Sequence, residues 1–351
     1  MSITSPNPIP ALRDILRQSG QPLSFIGSIK EPTEAGFSGI RAILGFPVLW
    51  AHRVPTRLGN QNRLDDVFPL SDGGAIIGNS SYVSRVDARG ILLWESEAIN
   101  RAWYVVADEK DKRVLVAGGS SGLVMFDLNN GEKIDDYTSS SIIRAIAFDE
   151  VNQRVYAGND GGDVIRISYS SSSMSVTWSE NHFAQEIRAM TYKDGYGAIA
   201  TDDSGVIKVI NDNGDQSAVN DQDIESGIRS ISTHPSVTDQ ILVGTRDGYV
   251  HSLGIDGLTH RWGIQPTGAD IYGVDRIDAG NVIAVDGDCN IIAIDDNGTS
   301  ASKRIAVPAG VTDILPSLRT DKRGFLYLGS WNHAAFCIRP EITIKGFEIV
   351  E

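Results

Sequence analysis

The chain has only two cysteines in 351 residues, Cys289 and Cys337, and fewer basic than acidic side chains. None of its apolar runs approaches the roughly 18 residues of a membrane helix. Each shortage removes a class of protein. Two cysteines cannot build a disulfide framework or a four-cysteine zinc site, and they read as free thiols inside strands. Short apolar runs make a membrane partner unexpected. Thirty-one basic against 45 acidic residues give a formal charge of −14, the wrong sign for a phosphate backbone, so nucleic acid is not an expected partner either. The first twenty residues show no basic leader, apolar stretch or small-residue cleavage site, which predicts a cytoplasmic protein or one assembled into a particle.

Motifs of catalysis and metal binding are missing too. No GxSxG elbow, Walker loop or dinucleotide fingerprint stands at a strand-to-helix junction, and GGSSGLV at Gly118 joins two apolar strands as a hairpin. The six histidines, His52, His182, His234, His251, His260 and His333, form none of the i, i+2 or i, i+4 pairs common in zinc sites. The segment Asp286-Gly287-Asp288-Cys289-Asn290 imitates the opening of a calcium loop, but Ile291 then stands where glycine is needed and Asn297 where glutamate is needed. No cofactor, metal or catalytic residue is expected.

What the chain does have is glycine and a repeat. Thirty-six glycines imply many tight turns, and 41% apolar with 22% charged residues is an ordinary folded composition. Seven segments share a short apolar strand ending in a small residue, a polar turn and a second apolar strand. They are AIIGNSSYVSRVD, VLVAGGSSGLVMFD, VYAGNDGGDVIRIS, AIATDDSGVIKVI, ILVGTRDGYVHSL, VIAVDGDCNIIAI and LYLGSWNHAAFCI. Their anchors, Gly78, Gly118, Gly158, Thr201, Gly244, Val285 and Gly329, are spaced 40 to 44 residues apart, the period of a β-propeller blade. Four residues after the anchor, glycine stands in four of the seven repeats, as a turn with positive φ requires. Upstream, IRAIAF, IRAMTY and IRSIST, with RAWYVV as a looser copy, mark innermost strands. Downstream, Trp94, Trp178 and Trp262 fall on outer strands.

The turn-then-tryptophan segments VDARGILLWE and IDGLTHRWG resemble the repeat of quinoprotein-dehydrogenase-like (PQQ-type) propellers, and the period resembles that of the WD40 class. The first resemblance implies an eight-bladed exported enzyme with calcium and often a vicinal disulfide. Seven repeats and two cysteines far apart in sequence depart from it.

The expected fold is therefore all-β: a seven-bladed β-propeller of four-stranded antiparallel blades over residues 45–340. Blade strands are lettered a to d outward from the axis. A ring must close. The segment VLWAHRV, residues 48–54, matches an outer strand before the first inner strand, whereas the last repeat lacks one, so an N-terminal Velcro closure is expected. Residues 1–44 read as an arm with a short amphipathic helix carrying Leu12, Ile15 and Leu16, and residues 341–351 as a tail strand.

Two sets of side chains carry the functional expectations. The first positions of the inner strands align as Asp65, Arg101, Arg144, Arg188, Arg229, Tyr272 and Thr312. Arg101, Arg144, Arg188 and Arg229 form a candidate anion site, because arginine's planar fork suits carboxylate and phosphate. The same arginines can instead tie blade to blade by pairing with aspartates of the b–c turns. Those turns collect an acidic rim, and Tyr82, Tyr249, Trp331, His333, Asp202 and Asp203 are its candidate interface residues. The functional expectation is a non-enzymatic structural or protein-interaction module, such as a bacteriophage tail or virion component, meeting other subunits through residues 1–44 and the b–c turn face. The alternative is a small-anion binder or enzyme at the mouth of the central channel.

Overall fold

The computed structural model describes residues 48–338, apart from 54–62, 98–100, 119–121, 222, 235–236, 279–280, 296–297, 299–300, 307–315 and 332–333. The expected N-terminal arm, C-terminal tail and His333 lie outside the described residues.

Seven four-stranded antiparallel sheets make up the described chain. Strand β1 is Val48–Arg53. Blade 1 follows with β2 to β5 (Leu64–Pro69, Ala75–Asn79, Tyr82–Val86, Leu92–Glu97), and blade 2 with β6 to β9 (Tyr104–Asp108, Arg113–Ala117, Leu123–Asp127, Lys133–Tyr137). Blade 3 holds β10 to β13 (Ile143–Asp149, Arg154–Asn159, Asp163–Tyr169, Met174–Asn181), and blade 4 β14 to β17 (Ile187–Lys193, Gly197–Asp202, Ile207–Ile210, Gln216–Asn220). Blade 5 holds β18 to β21 (Ile228–His234, Val237–Thr245, Val250–Gly254, His260–Ile264), and blade 6 β22 to β25 (Ile271–Asp278, Asn281–Asp286, Asn290–Asp295, Ala301–Ala306). The last three strands are β26 to β28 (Ser317–Thr320, Leu326–Ser330, Ala334–Ile338). Strand β1 pairs antiparallel with β28, from Val48 opposite Ile338 to Arg53 opposite Ala334, so blade 7 takes its outer strand from the other end of the chain.

Apolar contacts between neighbouring blades make the ring. The second strand of a blade is covered on both faces, which is why Ala75–Asn79, Arg113–Ala117 and Gly197–Asp202 are buried throughout and read as unbroken runs. Each core cluster joins facing sides of two blades. Trp50, Tyr327 and Cys337 of blade 7, for example, pack on Leu64, Val67 and Ile77 of blade 1. Outer strands face water, as Met174–Asn181 does along most of its length.

Tryptophans fasten the circumference. The Trp94 indole donates to the Leu128 carbonyl of blade 2 at 2.8 Å, Trp178 to Asp212 of blade 4 at 3.0 Å, and Trp50 to Gly73 of blade 1 at 3.2 Å. The turn that follows the third strand lies on the indole of the preceding blade. At Gly131, with φ +74°, a Cβ would come within 2.6 Å of the Trp94 ring. Both cysteines are free and buried. Cys337 lies in a strand, as expected, but Cys289 does not. It holds the left-handed turn position before β24 at φ +63°, where Gly122, Gly162, Gly205 and Gly248 have φ of +80° to +97°.

Candidate functional site

Five innermost strands begin with a bulge. The ladder slips between Leu64 and Asp66, Ile143 and Ala145, Ile187 and Ala189, Ile228 and Ser230, and Ile271 and Gly273. A bulge frees one residue from the ladder and re-aims its side chain. The freed residues are Asp65, Arg144, Arg188, Arg229 and Tyr272, so the aligned row is a structural set. Arg101 is not at that position. A Cβ on Gly78 would meet Ala102 and Val105, just as one on Gly158 would meet Ile187 and Met190, so Trp103 corresponds to Arg188 and Arg101 stands two residues earlier. Arg101 itself adopts φ +76°. Thr312 lies outside the described residues, among which blade 7 contributes Ser317–Thr320 as its inner strand, with Ser317 opposite Gly329.

These side chains interlock around the mouth of the channel. Arg101 grips Asp65 with two hydrogen bonds, Nη2 to Oδ1 at 2.8 Å and Nε to Oδ2 at 3.0 Å, and its guanidinium lies 3.3 Å from the centre of the Trp103 ring. Arg144 pairs with Asp160 of its own b–c turn at 2.9 Å and with Glu186 of the next blade at 3.2 Å. Arg188 pairs with Glu186 and, at 3.5 Å, with Asp203, which also receives Arg246 of blade 5 at 2.9 Å. Arg229 reaches Asp270 of the connection into blade 6 at 3.2 Å. All four arginines thus have carboxylate partners, and Arg101, Arg144 and Arg229 use them to cross a blade boundary.

Electrostatics follow the burial. Burial pushes the Asp65 carboxyl above its usual range, and Arg101 pulls it back down. Burial also lowers the Arg188 guanidinium, with repulsion from Arg144 and Arg229 working against the pull of Glu186 and Asp203. For Arg144, burial is outweighed by Asp160 and Glu186, and the guanidinium is held above its usual value.

The candidate interface residues scatter. Tyr82 is buried at 8% exposure, so it offers little surface to a partner. Asp202 is buried as well, its carboxylate accepting the Ser204 and Val206 N–H groups of its own turn. Asp203 belongs to the arginine belt. Trp331 is half-buried, with the Arg63 guanidinium 2.8 Å from its ring centre and Tyr272 at its edge. Tyr249 is half-buried against His251. The calcium-like segment is also a capped turn, since Asp286 accepts the N–H groups of Asp288 and Asn290. Asp, Asn and Thr at this place serve the turn first.

Below the belt sits a group that sequence reasoning missed. Asp66, 4% exposed, accepts Ser317 Oγ at 2.6 Å, Arg319 Nη2 at 2.8 Å, and the N–H groups of Val67 and Val105 at 2.9 and 3.0 Å. One carboxylate therefore ties blades 7, 1 and 2. Its side-chain partners Ser317 and Arg319 lie some 250 residues away, and no local signal announces such a pairing. Beside it, Asp275 of blade 6 accepts Thr320 N–H at 2.8 Å, and burial raises its pKa. Tyr104, half-buried near Asp66, has its phenol pushed up to about 12 by desolvation and by the Asp66 charge. The cavity these inner strands enclose is about 160 Å³, lined by Asp65, Trp103, Tyr104, Thr233, Tyr272 and Arg319 among others.

Among the described residues, no helix is long and apolar enough to cross a membrane. No family model and no curated protein matches the chain. Solved structures do. A chain in the crystal structure of the mitotic checkpoint complex superposes with a TM-score of 0.70 at 10% identity, covering 82% of this chain and 90% of that one. The WD40 β-propeller domain of Doa1 superposes with a TM-score of 0.68 at 12% identity, covering 83% of this chain and 97% of that domain. At such identities the likeness concerns shape alone, and the shape is that of a seven-bladed β-propeller.

Proposed function

We propose that the ring is a non-enzymatic platform for protein partners, met through its b–c turn face and the residues that precede β1. The observation that carries this is the condition of the channel mouth. Its arginines are already neutralised by carboxylates, and the cavity behind them, about 160 Å³, is well below the roughly 300 Å³ at which ligand pockets begin. Recognition then falls to the outer surfaces. On the turn face of blades 4 to 6, Glu225, Asp247 and Asp288 are exposed. With a net charge of −14, that face suits a basic partner. The shape likeness to a chain of the mitotic checkpoint complex supports the same reading. The narrower expectation of a bacteriophage tail or virion component gains nothing from these likenesses.

A small anion at the mouth remains the second reading, because Arg188 is held down by burial and by Arg144 and Arg229, and an added negative charge would relieve that. Native mass spectrometry of the protein from its own source separates the two. The platform predicts a mass above 37.9 kDa with other chains bound, reduced by Glu225→Lys, Asp247→Lys and Asp288→Lys together. A monomer carrying a small anionic adduct that vanishes in Arg144→Ala/Arg188→Ala would overturn it.

A further inference from the structure

The sequence keeps His251 and His260 nine residues apart, and the fold of blade 5 brings their rings together. They lie on β20 and β21, which pair antiparallel with His251 opposite Gly263 and Leu253 opposite His260, and the ladder slips between Ser252 and Leu253. His251 Nδ1 and His260 Nε2 stand 3.1 Å apart in a hydrogen bond exposed to solvent. The rings meet edge to face with centroids 5.3 Å apart, and Tyr249 stacks on His251 at 5.4 Å. Gly263 leaves both nitrogens uncovered. A Cβ there would lie 2.7 Å from His251 Nδ1 and 3.3 Å from His260 Nε2.

We propose that His251 and His260 form a chelating site for a divalent transition-metal ion of the zinc class, bound through His251 Nδ1 and His260 Nε2. The bite is nearly right as it stands. A tetrahedral ion at about 2.0–2.1 Å from each nitrogen holds the two roughly 3.3 Å apart, so the pair needs to open by only a few tenths of an ångström. The nitrogen that now accepts the shared proton already offers a lone pair. The other ring offers one once its proton moves to its far nitrogen, so binding requires no net loss of protons. Imidazole favours zinc, copper and nickel over magnesium and calcium, which prefer oxygen. Asp247 and Asp223 add negative potential at the same place. Among the described residues no group of three or more His, Cys, Asp or Glu gathers in metal-binding range, so water fills the remaining positions and the ion exchanges freely.

Calorimetric titration of the intact protein with zinc chloride tests this, with magnesium chloride as control and circular dichroism to verify folding. The expected result is one zinc site weakened about tenfold or more by His260→Gln and by His251→Gln. Gly263→Ala should weaken it too, while keeping both histidines. His260 is exposed, so His260→Gln alone suffices should His251→Gln fail to fold. Zinc binding that is equally tight in wild type and in a folded histidine variant overturns the proposal, as does no zinc binding by the wild type.

Discussion

The seam between blades 7 and 1 and the junction between blades 3 and 4 close similar gaps with different chemistry. At the seam the decisive contact is deep, with Asp66 receiving Ser317, Arg319 and two backbone N–H groups. At the other junction the polar contacts lie outward. Asp212 of blade 4 accepts the Tyr156 hydroxyl at 2.5 Å and pairs with Arg154, its carbonyl takes the Trp178 indole, and Tyr156 stacks on Tyr192. Blades 3 and 4 are joined directly by the chain, so their contacts need only orient what is already tethered. Of blade 7, only β1 is tied to blade 1 by a short stretch of chain, and its other three strands lie some 250 residues further on. There a buried carboxylate with several donors fixes which strands meet and in which register.

The largest test of that contrast is Asp66→Ala, which removes the carboxylate that Arg319 and Ser317 bind and the acceptor of the Val105 N–H. It should cost about 3–5 kcal/mol in urea denaturation. Next, Gly131→Ala should cost about 2 kcal/mol, because the new Cβ meets the Trp94 ring in a backbone conformation that favours glycine. Asp212→Ala, at a half-exposed site, should cost only about 1 kcal/mol. Losses at Asp212 equal to those at Asp66 would erase the distinction between seam and junction.

Acid gives the most graded test, its effect small at first and growing across the window. The folded His251 has a pKa of about 4 against 6.5 in the unfolded chain, so between those values the unfolded state binds the extra proton. Stability is fully present above pH 6.5 and falls as the pH drops, by about 1 kcal/mol near pH 5.5. In His251→Gln this part of the pH profile should flatten. Asp212 acts only in stronger acid. Burial is outweighed there by Tyr156 and Arg154, which hold its carboxyl below the ordinary value, so its contribution is lost as the pH falls through that lowered pKa. A gradual loss from about pH 6.5 down to about pH 4, and a second one below that, should appear in thermal melts.

The ring was legible because its repeat is written in short-range signals. Apolar second strands, turn glycines and outer tryptophans each recur within one period, and each has a local physical cause. Arg101 shows where that reading slips. The charged residue suggests one alignment of its row, but the buried Ala102 and Val105 set the register, and they put Trp103 at the place that Arg188 holds in blade 4. Tyr82 and Asp202 look like surface residues because they flank turns, yet burial and capping claim them. The Asp66–Arg319 pair and the two histidines were invisible for another reason. Contacts across blades or across a hairpin depend on register, and no residue-type pattern encodes that.

The pairing of Val48 with Ile338 also sets how the ring answers to force. These residues stand at one end of the β1–β28 ladder, and the chain leaves both strands from that same end. Tension applied through the two chain ends would therefore load one hydrogen-bonded pair at a time, as in a zipper, instead of shearing the whole ladder at once. Such a ring should open at its seam under modest pulling, with β1 peeling away before any blade unravels.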